Sequence, residues 1–209
     1  VAPTLEKSVK PALPAFFATG GDEEKFEQAD AFLLSKTSAP ANFTAEYNVT
    51  GANATTYVFG YTDADNYMDV TIDLAAKTVK LNKTENGTTA EIGSGTLVND
   101  FAADKLHTVR VASRDGKVDV SFDNMTKIDN AELTVPAGKI GYKSLADGAA
   151  IGYTAYSEVA MGMSDEQFEV YNALITFVDE LIDRETDEKE RAKLKIRKKN
   201  ILANNKEVN

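Results

Sequence analysis

Residues 105–158 read KLHTVRVASRDGKVDVSFDNMTKIDNAELTVPAGKIGYKSLADGAAIGYTAYSE. Val109 and Val111, Val118 with Val120 and Phe122, Ile140 and Tyr142, and Ile151 and Tyr153 each recur with a period of two. That spacing is the mark of half-buried antiparallel strands, because successive side chains point to opposite faces. The runs are broken at Arg114-Asp115-Gly116, Pro136-Ala137-Gly138 and Ala146-Asp147-Gly148. Asp-Gly readily supplies the positive φ angles of a tight primed turn, so the first break predicts a hairpin.

The same grammar extends towards the N-terminus. Phe43, Ala45, Tyr47 and Val49 alternate with polar neighbours, and TTYVFGYT, the loop Asp63-Ala64-Asp65-Asn66, YMDVTIDL, TVKLNK and TTAEIGS follow. Two further strands are expected at about 14–19 and 31–36, joined by a Gly-Gly turn and an acidic connector. About twelve short strands with no helical period predict a mainly β chain, an antiparallel two-sheet sandwich over residues 14–163. Residues 1–13, with two prolines and no strand pattern, are a lead-in.

At Met163 the period changes. Phe168, Tyr171, Leu174 or Ile175, Val178 and Leu181 form one helical stripe, and Ser164 with Gln167 fits a capping box. Seven cations between Lys189 and Lys199 follow, in a stretch whose apolar residues fit a helix only loosely. Residues 164–209 are therefore a C-terminal helical extension. Its apolar stripe is expected to be buried on the sandwich or on a partner, because isolated helices in water need tertiary packing. The cationic run is expected to stay solvated.

A net charge of −10 argues against nucleic acid or an anionic membrane as partner. No apolar run approaches the length of a membrane span. The chain begins at Val1 without an apolar signal segment, and it is read as a mature product or an excised piece. With no Cys there is no disulfide and no thiolate chemistry. Six Asn-x-Thr sequons, at Asn42, Asn48, Asn53, Asn82, Asn86 and Asn124, are either glycan acceptors or ordinary polar strand and turn positions. The second reading is preferred here, and both suit an extracellular or cell-surface location.

Three stretches resemble the concanavalin A-like lectin/glucanase superfamily, in particular laminin-G-like jelly rolls of secreted bacterial carbohydrate-active proteins. They are FTAEYNVTG with TTYVFGYTDADNYMDVTID, then LHTVRVASRDGKVDVSFDN, then GKIGYKSLADGAAIGYTAYSEV. The resemblance covers roughly residues 14–160 and implies a jelly-roll fold. It departs from the family in lacking Trp, in Leu106 before His107, and in Gly60 where many relatives carry Arg. Nothing after Met163 has a counterpart.

Glucanase relatives cleave with a Glu-x-Asp-x-x-Glu carboxylate set, which is absent here. The nearest approach is Asp69 and Asp73, on one strand face. Catalysis by this chain alone is therefore not expected. The face carrying Tyr67, Asp69, Thr71 and Asp73, with space left by Gly60 on the next strand, is the expected ligand surface. An aromatic ring with carboxylates and hydroxyls is what sugar binding uses. Asp63, Asp65 and Asn66 make an oxygen-rich loop that could take calcium, although turn chemistry accounts for the same residues. The lone His107 begins an apolar strand and is read as structural, and Tyr57, Phe59 and Tyr61 are read as one core face.

The expected function is a non-catalytic carbohydrate-binding or accessory module of a secreted glycan-acting protein, with an oligo- or polysaccharide as partner. The alternative is a structural subunit whose helical tail docks on a catalytic domain or partner chain.

Overall fold

The computed structural model of the chain describes residues 14–158 and 165–204. It divides into two compact units, the first spanning Pro14–Val159. This unit holds β1 (Phe16–Thr19), β2 (Phe26–Ala29), β3 (Phe32–Ala39), β4 (Phe43–Thr50), β5 (Ala54–Asp63), β6 (Asn66–Asp73) and β7 (Thr78–Glu85). It continues with β8 (Thr88–Thr96), β9 (His107–Arg114), β10 (Lys117–Phe122), β11 (Met125–Glu132), β12 (Gly138–Lys143) and β13 (Ala150–Ser157). One sheet runs β1-β13-β4-β9-β10-β11 and the other β2-β3-β12-β5-β6-β7-β8, with antiparallel pairing throughout. The late strand β12 thus sits between β3 and β5, and β13 between β1 and β4. Such crossing between two packed sheets is the jelly-roll arrangement.

The alternation in 105–158 becomes the interior. Val109, Val111, Val118, Val120 and Ile140 are wholly buried, and Phe122 is 1% exposed. Aromatics from both sheets meet there: Tyr47 lies edge-on to Tyr57 and to Tyr142, with centroids 5.3 and 5.7 Å apart. Their hydroxyls are satisfied, Tyr47 donating to the Val58 carbonyl at 2.6 Å and Tyr142 bonding Thr154 Oγ1 at 2.7 Å. Burial pushes both phenols well above their ordinary range. The Asp-Gly hairpin forms as expected, with φ of 50° at Asp115 and 79° at Gly116. His107 is a structural residue, its ring bonded between the Asp123 carboxylate at 2.7 Å and the Ala102 carbonyl at 2.6 Å.

Two strands escape the sequence pattern. β2 lies in the expected acidic connector, and only Phe26 of its four residues is buried. β11 is broken by register shifts against β10 and by a left-handed Asn130 at φ 52°, and Ile128 is its one buried residue.

The second unit contains α1 (Asp165–Arg184) and α2 (Glu188–Asn204). Ile175 and Val178 of the predicted stripe are buried and Leu181 is half-buried. Ser164 and the side chains of Gln167, Phe168 and Tyr171 lie outside the described residues. Weakly apolar α2 is built of good helix formers. It is started by Asp187, whose carboxylate accepts from the amides of Lys189 at 2.9 Å and Glu190 at 3.1 Å. Lys198 returns to the Asp179 carboxylate of α1, while most of the cationic run is exposed.

Candidate functional site

Strand β6 presents two rows. Met68, Val70, Ile72 and Leu74 enter the core between the sheets. Tyr67, Asp69, Thr71 and Asp73 point to the outer face of the seven-stranded sheet. Asp69 is the centre of a polar network there: its Oδ1 accepts from Thr71 Oγ1 at 3.1 Å and from Asn82 Nδ2 at 2.9 Å. Asn82 stands directly opposite Asp69 on β7. Burial raises the Asp69 carboxyl above its ordinary range, against the two hydrogen bonds and the nearby Lys143 charge. Asp69 itself is only 5% exposed, and the half-buried Asn82 keeps its carbonyl oxygen as a further acceptor on this face.

Tyr67 occupies a different environment from its neighbours in that row. Its ring is 4% exposed and joins Phe32, Leu34 and Val58 in a small apolar cluster on the outer face. Phe32 meets it edge-on at 5.1 Å, and the Lys143 ammonium sits 5.1 Å from its centroid while donating to its hydroxyl at 2.7 Å. The face of this ring is taken up by protein. The half-exposed ring on this surface is Tyr61, 5.0 Å from Phe32 and 6.3 Å from Tyr67 between centroids.

Gly60 explains why Tyr61 is there, and it corrects two readings. Its φ is +55°, and the β5–β6 register is interrupted between Phe59 and Asp63. Such an irregularity resets the alternation, so Tyr57 and Phe59 stay in the core while Tyr61 crosses to the outer cluster. Nor does Gly60 open room on the outer face of the sheet. A Cβ at Gly60 would fall 2.8 Å from Val135 Cγ1 and 3.0 Å from Met68 Sδ, both core residues.

In the acidic loop, turn chemistry engages the same oxygens. Asp63 Oδ1 accepts from the Asp65 amide and from Asn66 Nδ2, each at 2.9 Å, and Asn66 Oδ1 accepts from the Asn86 amide at 3.0 Å. These oxygens hold two adjoining turns together. Among the described residues no three His, Cys, Asp or Glu side chains come together to hold a metal ion.

The residues missed by sequence reasoning are Tyr61, Asn82 and Lys143. Asn82 was recoverable, because counting back from the turn at 74–77 places it across from Asp69. Lys143 arrives from β12 and carries no local signal. A second buried carboxylate, Glu46, lies on the outer side of the six-stranded sheet. Arg110 grips its Oε1 at 2.6 and 3.0 Å, and Tyr153 donates to its Oε2 at 2.8 Å.

Solved structures share this architecture. A Bacillus subtilis protein of unknown function with a galectin-like fold superposes with a TM-score of 0.56 at 11% identity, covering 71% of this chain and 97% of that one. The chain has the concanavalin A-like jelly-roll fold. A glycosidic hydrolase gives a TM-score of 0.53 at 16% identity over 73% of this chain and 100% of its own. The carbohydrate-binding module CBM66 from Bacillus subtilis gives 0.47 at 22% identity over 66% and 89%. No family model matches the sequence, and no curated protein does. No helix among the described residues of this jelly-roll chain is long and apolar enough to cross a membrane.

Proposed function

We propose that this chain is a carbohydrate-binding module without catalytic activity of its own, an accessory part of a secreted glycan-acting protein. The observation that carries the reading is the Asp69–Thr71–Asn82 network on the outer sheet face, with the half-exposed Tyr61 on the same face beyond Tyr67. Carboxylate, carboxamide and hydroxyl groups match vicinal sugar hydroxyls, while a ring edge or face takes the apolar C–H side of a pyranose. Half-exposed Thr71 and Asp73 extend the acceptor row along β6, and exposed Lys80, 3.4 Å from Glu91, adds a donor towards β8. Two of the structural neighbours are described as a galectin-like fold and a glycosidic hydrolase, which agrees with a glycan as the ligand class.

The test is a glycan array with the intact chain, followed by calorimetry on the best ligand. Tyr61→Ala and Asp69→Asn should each weaken binding by about 1–3 kcal/mol, the cost of a lost hot-spot contact. Unchanged affinity in both folded variants contradicts this placement of the site. A second reading, a subunit docked through its helices, draws on Phe177 and Ile196, which are 54% and 59% exposed on the helical unit. Removing residues 165–209 should then abolish association with the partner and leave sugar affinity intact.

A further inference from the structure

We propose that Asn86, in Asn86-Gly87-Thr88, is the residue at which the folded chain carries an N-linked oligosaccharide. The six sequons are equivalent as motifs, and the fold separates them. Asn48 and Asn82 lie within strands, half-buried, with their amide nitrogens donated to Thr108 Oγ1 at 3.0 Å and Asp69 Oδ1 at 2.9 Å. Asn42 uses both ends of its carboxamide on Asp115, each at 3.1 Å. Asn124 is half-buried and engaged in contacts of its own. Asn53 is exposed, but Thr55, which completes its sequon, is 7% exposed.

Asn86 is different on each count. It sits at the tip of the β7–β8 hairpin, and Asn86, Gly87 and Thr88 are all exposed. The backbone is pinned: the Asn86 amide donates to Asn66 Oδ1 at 3.0 Å and the Gly87 amide to the Asp65 carbonyl at 3.0 Å. Both residues hold positive φ, 50° and 77°, as a primed hairpin turn requires. The side-chain carboxamide of Asn86 has no hydrogen-bond partner among the described residues. A rigid tip therefore presents a free amide with its Thr hydroxyl two residues on.

The donor is an oligosaccharide linked through its anomeric carbon to a polyprenyl diphosphate. The Asn86 side-chain nitrogen bonds to that C1 as the C1–O bond to the diphosphate breaks. The nitrogen gives up one proton, and the lipid diphosphate leaves with the bonding electron pair. No oxidation or reduction is involved. The modified tip lies where β6 starts and β7 ends, beside the Asp63–Asn66 turn, which leaves the Asp69–Asn82 face uncovered; a glycan on Asn82 would lie on that face. This inference stands whether or not the face binds sugar.

The test is tandem mass spectrometry of the peptide spanning Asn82 to Ile92, from protein recovered from its native source. The expected result is sugar mass on Asn86, a bare Asn82, and loss of that mass in Thr88→Ala made in the same host. Thr88 is exposed, so this variant keeps its fold. A bare Asn86 in the native protein, or sugar on Asn82 in its place, overturns the proposal.

Discussion

The core between the sheets and the small cluster of Phe32, Leu34, Val58 and Tyr67 on the outer face are both dry, and they arise differently. The core takes every second residue from strands whose partners are also alternating, so its membership follows from each strand separately. The outer cluster takes residues from β3, β5 and β6, with Tyr61 packed against them. The Lys143 ammonium lies over the Phe32 and Tyr67 rings and donates to the Tyr67 hydroxyl. A face that alternation marks as solvent can therefore hold an apolar patch beside a polar one. Here the apolar patch flanks the hydrogen-bonded Asp69–Thr71–Asn82 network.

The largest test of the comparison is on the core side. Phe59 is wholly buried and packs on Phe43 at 6.0 Å, so Phe59→Ala should lose about 3–5 kcal/mol in urea denaturation. A loss below about 1 kcal/mol would show that the interior is not close-packed there. Gly60 joins the two regions. Gly60→Ala should cost about 1–3 kcal/mol, because it strains a left-handed residue and crowds Val135. A neutral outcome would mean the bulge is not what turns Tyr61 outward. Tyr67→Phe, which keeps the ring and removes only the bond from Lys143, should cost about 0.5–1.5 kcal/mol. A loss as large as that of Phe59→Ala would erase the distinction between the two clusters.

The smallest effect is a pH slope. Burial raises the folded-state pKa of Asp69, so the folded chain takes up this proton at higher pH than an unfolded aspartate, whose value is about 3.9. Within the window above that value, folding is favoured as pH falls and disfavoured as pH rises. Asp69→Asn should flatten this part of the stability–pH curve, read from denaturation midpoints. An unchanged slope would show that Asp69 is solvated in the folded state.

The sandwich was legible because alternation is local to each strand. The burial of Val109, Val111, Val118, Val120, Phe122 and Ile140 follows from spacing alone. Short β2 and bulged β11 were not, since neither sustains a period. The site was half legible. The outward row of β6 is the mirror of its core row, which the sequence states directly. What it does not state is that Tyr67 is covered, since its cover comes from Phe32 and Lys143, distant in sequence. Tyr61 depended on a single positive φ at Gly60, and a glycine in a strand does not announce whether it makes room or makes a bulge.

The most direct test of the account is where a sugar lands. The isotopically labelled full chain would be titrated with its best array glycan while backbone and side-chain amide shifts are followed by NMR. The account predicts the largest shifts at the Asn82 side chain, Thr71, Asp69 and Tyr61 on the outer face of the seven-stranded sheet. Shifts confined to the outer side of the six-stranded sheet, around Glu46 and Arg110, or to the loops at the ends of the sandwich, would contradict it.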